Sequence, residues 1–357
     1  MKKLNLAIIG QGRSGKDIHG TYYLSEANKY YNVKYVVDAD ADRRKTSLER
    51  YPGCEVFASH TELYGKTDID VVVNSTYSDI HYSITKDLLT NGFNVLVEKP
   101  FARTKYECDE LIKLAKDKGL LLAVFQQSFY APFYFDIYDI INSDRLGKIE
   151  QVSIRYNGFS RRWDWQTLQK RVAGNAYNTG PHPFGLALGF LDFSKDARVA
   201  FSKLACTTLN SGDSDDYCKV ILVAPDKPVI DLEVNSTDAY ANYNVKLQGS
   251  KGCYKTNIVS WETKYIVDGE NPERPVQENF IHDEAKNPIY CSEQLKIHEA
   301  KGDYSGNPFD EGTAKLYEDM YFALTEGRKM FITAEKAADI IKVIEEIHCA
   351  NPLPLKF

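Results

Sequence analysis

A lysine backed by a proline is the residue in this chain best placed for chemistry. Asn94 to Phe101 reads N-V-L-V-E-K-P-F. Val95, Leu96 and Val97 have the apolar continuity of a parallel strand buried on both faces. Pro100 cannot continue a central strand and biases the residue before it toward an extended conformation. Lys99 is therefore presented at the carboxyl end of a strand, where open α/β sheets bind their ligands. Glu98 reads as its orienting or structural partner. A second cluster, Asn175 to Gly185, reads N-A-Y-N-T-G-P-H-P-F-G. Asn178 and His182 are four apart and share a face if the segment is helical; the prolines allow a tight turn into a helix equally well. Glycine and proline fixing the backbone around His182 favour a functional imidazole over a structural one. Lys99, His182 and Asn178 form the candidate catalytic set.

A cofactor has its own pattern. Gly10-Gln11-Gly12-Arg13-Ser14-Gly15 follows the apolar run Leu4 to Ile9 and precedes a helix-compatible stretch reaching about Lys29. Glycines there permit a tight turn and close approach of a pyrophosphate to a helix N-terminus. Asp38 closes the next strand, Val33 to Val37, where a carboxylate accepts hydrogen bonds from ribose hydroxyls and repels a 2′-phosphate. NAD is thus favoured over NADP, a preference that Arg43 and Arg44 soften. Lys16 also completes G-x-x-x-x-G-K, the start of a P-loop, but Asp17 stands where magnesium requires Ser or Thr. At the end of a further strand, Asn74 to His81 (N-S-T-Y-S-D-I-H) enters a helix that Ser78 or Asp79 can cap. The predicted cofactor set is Gly10, Gln11, Gly12, Arg13, Ser14, Gly15, Asp38, Arg43, Ser75, Thr76, His81, Glu98, Lys99 and Gln127. His81 is equally well read as structural.

Arg155 to Arg171 interleaves arginines with two of the three tryptophans. Such a loop suits nucleic acid, a subunit contact, or a sugar, whose apolar face stacks on aromatics while its hydroxyls meet Arg, Asp and Gln. A net charge of −6 and a dinucleotide pattern favour the sugar. The predicted substrate set is Lys99, Tyr156, Arg161, Arg162, Trp163, Trp165, Asn178 and His182, with Asp164 and Gln166 between them.

These residues must be carried by elements. Strand-like runs at Val71–Val73, Val95–Val97 and Leu120–Phe125 alternate with helical stretches. One helix opens at Thr104 with a T-x-x-E capping box closed by Glu107. That alternation predicts a doubly wound parallel Rossmann sheet over residues 1–125. Phe133 to Ile141 has helical period. From Ile149 the period becomes two: Val152, Ile154, Tyr156; Ile230, Leu232, Val234; Val245, Leu247. Gly249-Ser250-Lys251-Gly252 predicts a hairpin turn. Residues 126–357 are expected to form an α+β domain on a mostly antiparallel, open-faced sheet. Residues 268 to 306 read as long loop, and helices near 310–325 and 333–348 close the chain, with scope to pack back on the first domain.

With 357 residues, 43% hydrophobic and 26% charged, two ordinary globular domains are expected. M-K-K-L-N-L-A-I-I-G has too short an apolar run for a signal peptide, and no run reaches membrane length. The seven cysteines lack any C-x-x-C pair, so neither a metal site nor a disulfide framework is predicted. A reducing cytoplasm is the expectation, and the sequons at Asn74 and Asn235 carry no meaning there.

The assembled motifs resemble the glucose–fructose oxidoreductase/inositol dehydrogenase (Gfo/Idh/MocA) family over nearly the whole chain. The resemblance rests on Gly10-x-Gly12-x-x-Gly15, Glu98-Lys99-Pro100, Gly180-Pro181-His182, the Gly249–Gly252 turn and the two closing helices. It implies an NAD(P)-binding Rossmann domain and a second domain whose open sheet commonly supports homo-oligomers, dimers or tetramers or larger. A sugar, glycoside or cyclitol is the implied substrate, and Lys99 and His182 match the family's catalytic lysine and histidine. Nucleic acid and membrane are not expected partners. Three positions depart from the family pattern: Asn178 and Gly185 stand where D-x-G-x-H-x-x-D has aspartates, and Tyr77 stands where proline is usual. The implied reaction is hydride transfer between nicotinamide and a ring carbinol, C3 of a glucose unit being one candidate. Two alternatives accompany it: a hydrolase or lyase that oxidises its substrate transiently, and a cofactor-binding regulator of the same fold.

Overall fold

The computed structural model describes residues 2–357. Its first half is built on six strands: β1 (Leu4–Ile9), β2 (Tyr31–Val37), β3 (Glu55–Phe57), β4 (Val71–Asn74), β5 (Val95–Val97) and β6 (Leu122–Val124). They pair in parallel in the order β3-β2-β1-β4-β5-β6. The order reverses between β1 and β4, so the crevice beyond their carboxyl ends is the topological switch point. β4, β5 and β6 are buried at every residue, as their apolar runs require with helices on both faces.

The helix after Gly15 is shorter than expected. Arg13–His19 is π-helical, with the Gly20 N–H donating to Gly15 O, and continues as α1 (Gly20–Leu24). Ser25 leaves the helix with extended backbone. Asn28 holds the following turn by donating to the carbonyls of Tyr23 and Tyr31 and accepting from Tyr31 N. α2 (Ala41–Arg50) is capped by Asp40 and α3 is His81–Thr90. α4 (Lys105–Lys118) has the Thr104/Glu107 capping box and ends on Gly119 at φ +65°, the left-handed position glycine favours.

The second half carries an eight-stranded sheet. Its strands are β7 (Ile149–Asn157), β8 (Arg198–Ala205), β9 (Tyr217–Val223), β10 (Val229–Asn235), β11 (Val245–Gly249), β12 (Gly252–Thr256), β13 (Ser260–Tyr265) and, beyond the small hairpin β14 (Ile281–His282) and β15 (Pro288–Ile289), β16 (His298–Asp303). The order is β16-β13-β12-β11-β7-β10-β9-β8, with only β7 and β10 parallel. Gly249 and Gly252 face each other at the predicted hairpin. β16 lies within the stretch read as loop. Mostly exposed, H-E-A-K-G-D has no apolar period to announce it; its backbone alone joins it to β13.

α5 (Pro132–Ile141), α6 (Asn175–Asn178) and α7 (Pro181–Phe190) lie on the inner side of this sheet, followed by α8 (Pro308–Glu326) and α9 (Ala334–Ala350). α7 packs against β7, β10 and α9, while α9 also reaches α4 and α8 reaches α1. Gly185, on the buried face of α7, explains one departure from the family pattern: a Cβ there would lie 2.8 Å from the Phe129 ring and 3.0 Å from Ile340. Overpacking of this kind costs about 1–3 kcal/mol, and a buried carboxylate adds to it. Gly185→Asp is therefore expected to lower thermal stability by more than Gly185→Ala, measured by calorimetry, with no gain in any activity.

Candidate active site

One cleft of about 790 Å³ runs along the carboxyl ends of β1, β4 and β5 and is roofed by the second half of the chain. At one end the glycines act as their spacing predicts. Gly10 has φ +89°, and a Cβ on it would lie 2.6 Å from Ser75 O. A Cβ on Gly15 would lie 1.8 Å from Gly10 O, so this glycine lets the helix pack under the turn. Gly12 has open space beside it. Gly10, Gly12, Arg13, Ser14, Asp38, Arg43, Ser75, Thr76, His81, Glu98, Lys99 and Gln127 all line the cleft.

Asp38 is buried and accepts from Gln11 N at 2.7 Å and Asp40 N at 2.9 Å. Arg43 stands 3.6 Å from it, and Arg44 donates to the Asp38 carbonyl. Gln127 Oε1 is buried without a hydrogen-bond partner in a side chain that lines the cleft. A bare turn, an acid beside it and an orphaned acceptor fit a dinucleotide. Lys16 and Asp17 are exposed and outside the cleft, which removes the P-loop reading.

Lys99 forms the floor. Its Nζ donates to the Asn178 carbonyl at 2.9 Å, and its N–H donates to Glu98 Oε2 at 2.9 Å. The Lys99–Pro100 bond is cis. Burial pulls the Lys99 ammonium below its ordinary pKa; Glu98 opposes this, and Arg13 and Arg162 add to it. His182, in the first turn of α7, meets Ser128 Oγ through Nδ1 at 3.0 Å. Burial and then the Lys99 charge depress its pKa to about 3, so the ring is neutral at physiological pH. Asn178 ends α6, and its side-chain oxygen accepts from Gln166 Nε2 at 3.0 Å. The helix-or-turn alternative resolves into two short helices broken at Thr179–Gly180.

Arg162, Asp164, Trp165 and Gln166 line the other end of the cleft. Trp165 meets Tyr77 edge-on at 5.0 Å, and Arg171 pairs with Asp79 at 2.7 Å. These two contacts join the loop after β4 to the second half. Tyr77 replaces a proline of the family pattern with a ring that faces the Trp165 end of the cleft.

Five predicted residues lie elsewhere. Gln11 contributes only its backbone N–H, and Gly15 lies beneath the turn. Tyr156 continues the inward row of Val152 and Ile154 on β7 and packs on the core. Arg161 and Trp163 are exposed outside the cleft, Trp163 to 76%. His81 is wedged between two carbonyls, Pro100 O at 2.7 Å and Thr76 O at 3.1 Å, which ties the β4 loop to the E-K-P segment. The sequence reading missed His19 and Ser128. His19 sits four residues after Gly15, on the same helix face, a spacing that marks it in retrospect; nothing in the sequence marks Ser128.

Comparison with known proteins identifies the class. Residues 4–126 match the family described as oxidoreductase family, NAD-binding Rossmann fold, and residues 134–255 match the GFO/IDH/MocA C-terminal domain. The chain belongs to the GFO/IDH/MocA oxidoreductases. It is 25% identical to the scyllo-inositol 2-dehydrogenase (NADP(+)) IolW of Bacillus subtilis, over 96% of this chain and 92% of that protein. It is 23% identical to the 2,7-anhydro-N-acetylneuraminate hydratase of Mediterraneibacter gnavus, over 83% and 78%. It spans about half the length of an uncharacterized oxidoreductase of Schizosaccharomyces pombe, C26H5.09c, at 30% identity over 51% of this chain. The solved structure of a single-substitution mutant of KijD10, a 3-ketoreductase from Actinomadura kijaniata in complex with TDP-benzene and NADP, superposes with TM-score 0.77 over 98% of each chain at 17% identity, a likeness of fold. Among the described residues, no helix is long and apolar enough to cross a membrane, and no cluster of metal-ligating side chains occurs.

The depressed His182 ring has a consequence for stability. Between about pH 3 and its ordinary pKa of 6.5, the unfolded chain binds a proton there that the folded protein does not. Stability from this residue is complete above pH 6.5 and is lost as the pH falls toward 3. The thermal midpoint of wild type is expected to fall over that window more steeply than that of His182→Gln, followed by calorimetry.

Proposed function

We infer that this protein is an NAD-dependent dehydrogenase or ketoreductase acting on a ring hydroxyl of a sugar, glycoside or cyclitol, with C3 of a glucose unit among the candidate positions. The observation that carries the reading is the convergence of Lys99 and His182 on one cleft whose far end is a glycine cradle. The domains are residues 1–125 for the cofactor and 126–357 for substrate and homo-oligomer contacts.

A bound nicotinamide dinucleotide supplies the hydride acceptor or donor. Gly10, Gly12, Arg13 and Ser14, with Ser75 and Thr76, would hold its phosphates, Asp38 its adenosine ribose, and Glu98 and Gln127 the end nearer Lys99. An alcohol carbon releases hydride only as its hydroxyl proton leaves, so a base must stand at that oxygen. His182 is neutral and takes this proton; Ser128 fixes which ring nitrogen is free. Lys99 donates to the same oxygen and steadies developing negative charge. Asn178 has no proton to trade and, held by Gln166, offers its amide to a hydroxyl. Trp165 gives the sugar an apolar wall, and Arg162 reaches its hydroxyls.

Initial rates with NAD⁺ or NADP⁺ and a panel of inositols, free sugars and glucosides, read at the reduced-nicotinamide band, test this. Lys99→Met and His182→Ala are each expected to lower kcat by about 10²–10⁴-fold, the range for a lost proton-transfer group. Asp38→Ala is expected to move the NAD⁺/NADP⁺ preference toward NADP⁺ by about tenfold, the effect of removing roughly 1.4 kcal/mol of charge discrimination. Tight cofactor binding without turnover of any substrate would instead make the protein a regulator. The hydratase among its relatives favours one second reading, a transient oxidation, which turnover of an anhydro-sugar or glycoside without net reduced nicotinamide would identify.

A further inference from the structure

Behind Lys99 lies a buried polar chain that the proposed reaction does not use. Tyr23 on α1 donates to the Tyr317 hydroxyl on α8 at 2.5 Å. Tyr317 reaches His19 Nδ1 at 2.8 Å. His19 Nε2 stands 3.1 Å from Glu98 Oε1, and neither of these two atoms has any other partner. Glu98 Oε2 receives the Lys99 N–H. His19 and Tyr317 are fully buried and Glu98 is 2% exposed. The Phe125 ring, edge-on at 4.6 Å, confines the imidazole further.

Donors and acceptors alternate along this chain in one direction only. Tyr23 gives its proton to Tyr317, so Tyr317 gives its own to His19 Nδ1. That leaves the ring's single N–H on Nε2, facing the carboxylate. A neutral imidazole is enough to complete the chain. The titratable groups facing Glu98 are His19, Lys99, His81, His182 and Tyr317; Lys99 answers Oε2 through its N–H, His81 is occupied by the carbonyls of Pro100 and Thr76, and His19 is the ring that faces Oε1.

We propose that His19, set by Tyr317, is a positioning residue that holds Glu98 as a carboxylate under Lys99 and thereby governs how readily Lys99 keeps its ammonium proton. The importance of Lys99 rests on the function inferred above, but the contact itself does not. Burial alone would raise the Glu98 pKa, and the His19 ring 3.1 Å away, with the Lys99 charge behind it, brings it down to about 2. Around Lys99 the charged neighbours are Glu98, which favours its protonation, and Arg13 and Arg162, which oppose it; neutral His182 completes the set. Without His19 the buried carboxyl takes up a proton. Lys99 then loses its one supporting charge while both arginines remain.

The test is acetylation of the full-length protein by acetic anhydride across pH, with the Lys99 peptide quantified by mass spectrometry. His19→Leu should move the midpoint of Lys99 labelling downward by about one pH unit or more, the scale of losing one charge contact. His19→Gln, whose amide can accept from Tyr317 and donate to Glu98, should keep the midpoint near that of wild type. Tyr317→Phe removes one hydroxyl and should shift it in the same direction as His19→Leu, which serves if the leucine variant does not fold. An unchanged midpoint in folded His19→Leu, or in Tyr317→Phe where that alone folds, overturns the proposal. A Gln variant shifted as far as the Leu variant also overturns it, because packing would then be the cause. Labelling needs no sugar turnover, so failure of the dehydrogenase reading and failure of this one are separate results.

Discussion

A carboxylate with 2% of its surface in water must be answered from within the protein, and Glu98 is that group here. Leaving such a charge unpaired costs about 3–5 kcal/mol, a large share of a typical domain's stability. The answer comes from three separate parts of the chain. His19 arrives on the helix after the glycine turn, and the Lys99 N–H is supplied by the same strand end. Tyr317 comes from a helix more than 200 residues further along and reaches Glu98 through the His19 ring. The first and last parts of the chain are therefore fastened at the floor of the cleft.

The same charge acts outward. Lys99 and His182 are both pulled toward their neutral forms by burial, and Glu98 works against that in each case. The Lys99 ammonium also holds the Asn178 carbonyl, linking the end of β5 to the short α6 helix. Across the cleft, the Arg171–Asp79 pair and the Trp165–Tyr77 contact make a second fastening between the halves. Between these points the walls of the cleft have a spacing fixed from both ends.

Much of this was legible from residue order because its causes are local. A strand, a glycine turn and a terminal acid identify a dinucleotide crevice without knowledge of anything distant, and Thr104 with Glu107 marks a helix start. The inward alternation of β7, β10 and β11 is equally local. What escaped depends on contacts between remote segments. β16 pairs through its backbone and carries no apolar pattern. His19 acquires its role only when β5 and α8 come beside it, and Ser128 only when α7 brings up His182. The loop of arginines and tryptophans reaches the cleft with some of its members and leaves others outside. Whether an indole faces the cleft, as Trp165 does, or solvent, as Trp163 does, is decided by a short turn at Trp165–Thr167, and composition does not specify its direction.

Gly185 carries a meaning for ancestry and redesign. Its missing side chain is occupied by the Phe129 ring and Ile340, which come from two other helical segments. An acid could regain the position only after one of those neighbours had shrunk, and either shrinkage alone would open a void in the core. The route between the two arrangements crosses a valley of poorly packed intermediates. The packing thus locks the glycine in place: no single substitution installs an acid there without a clash or a void.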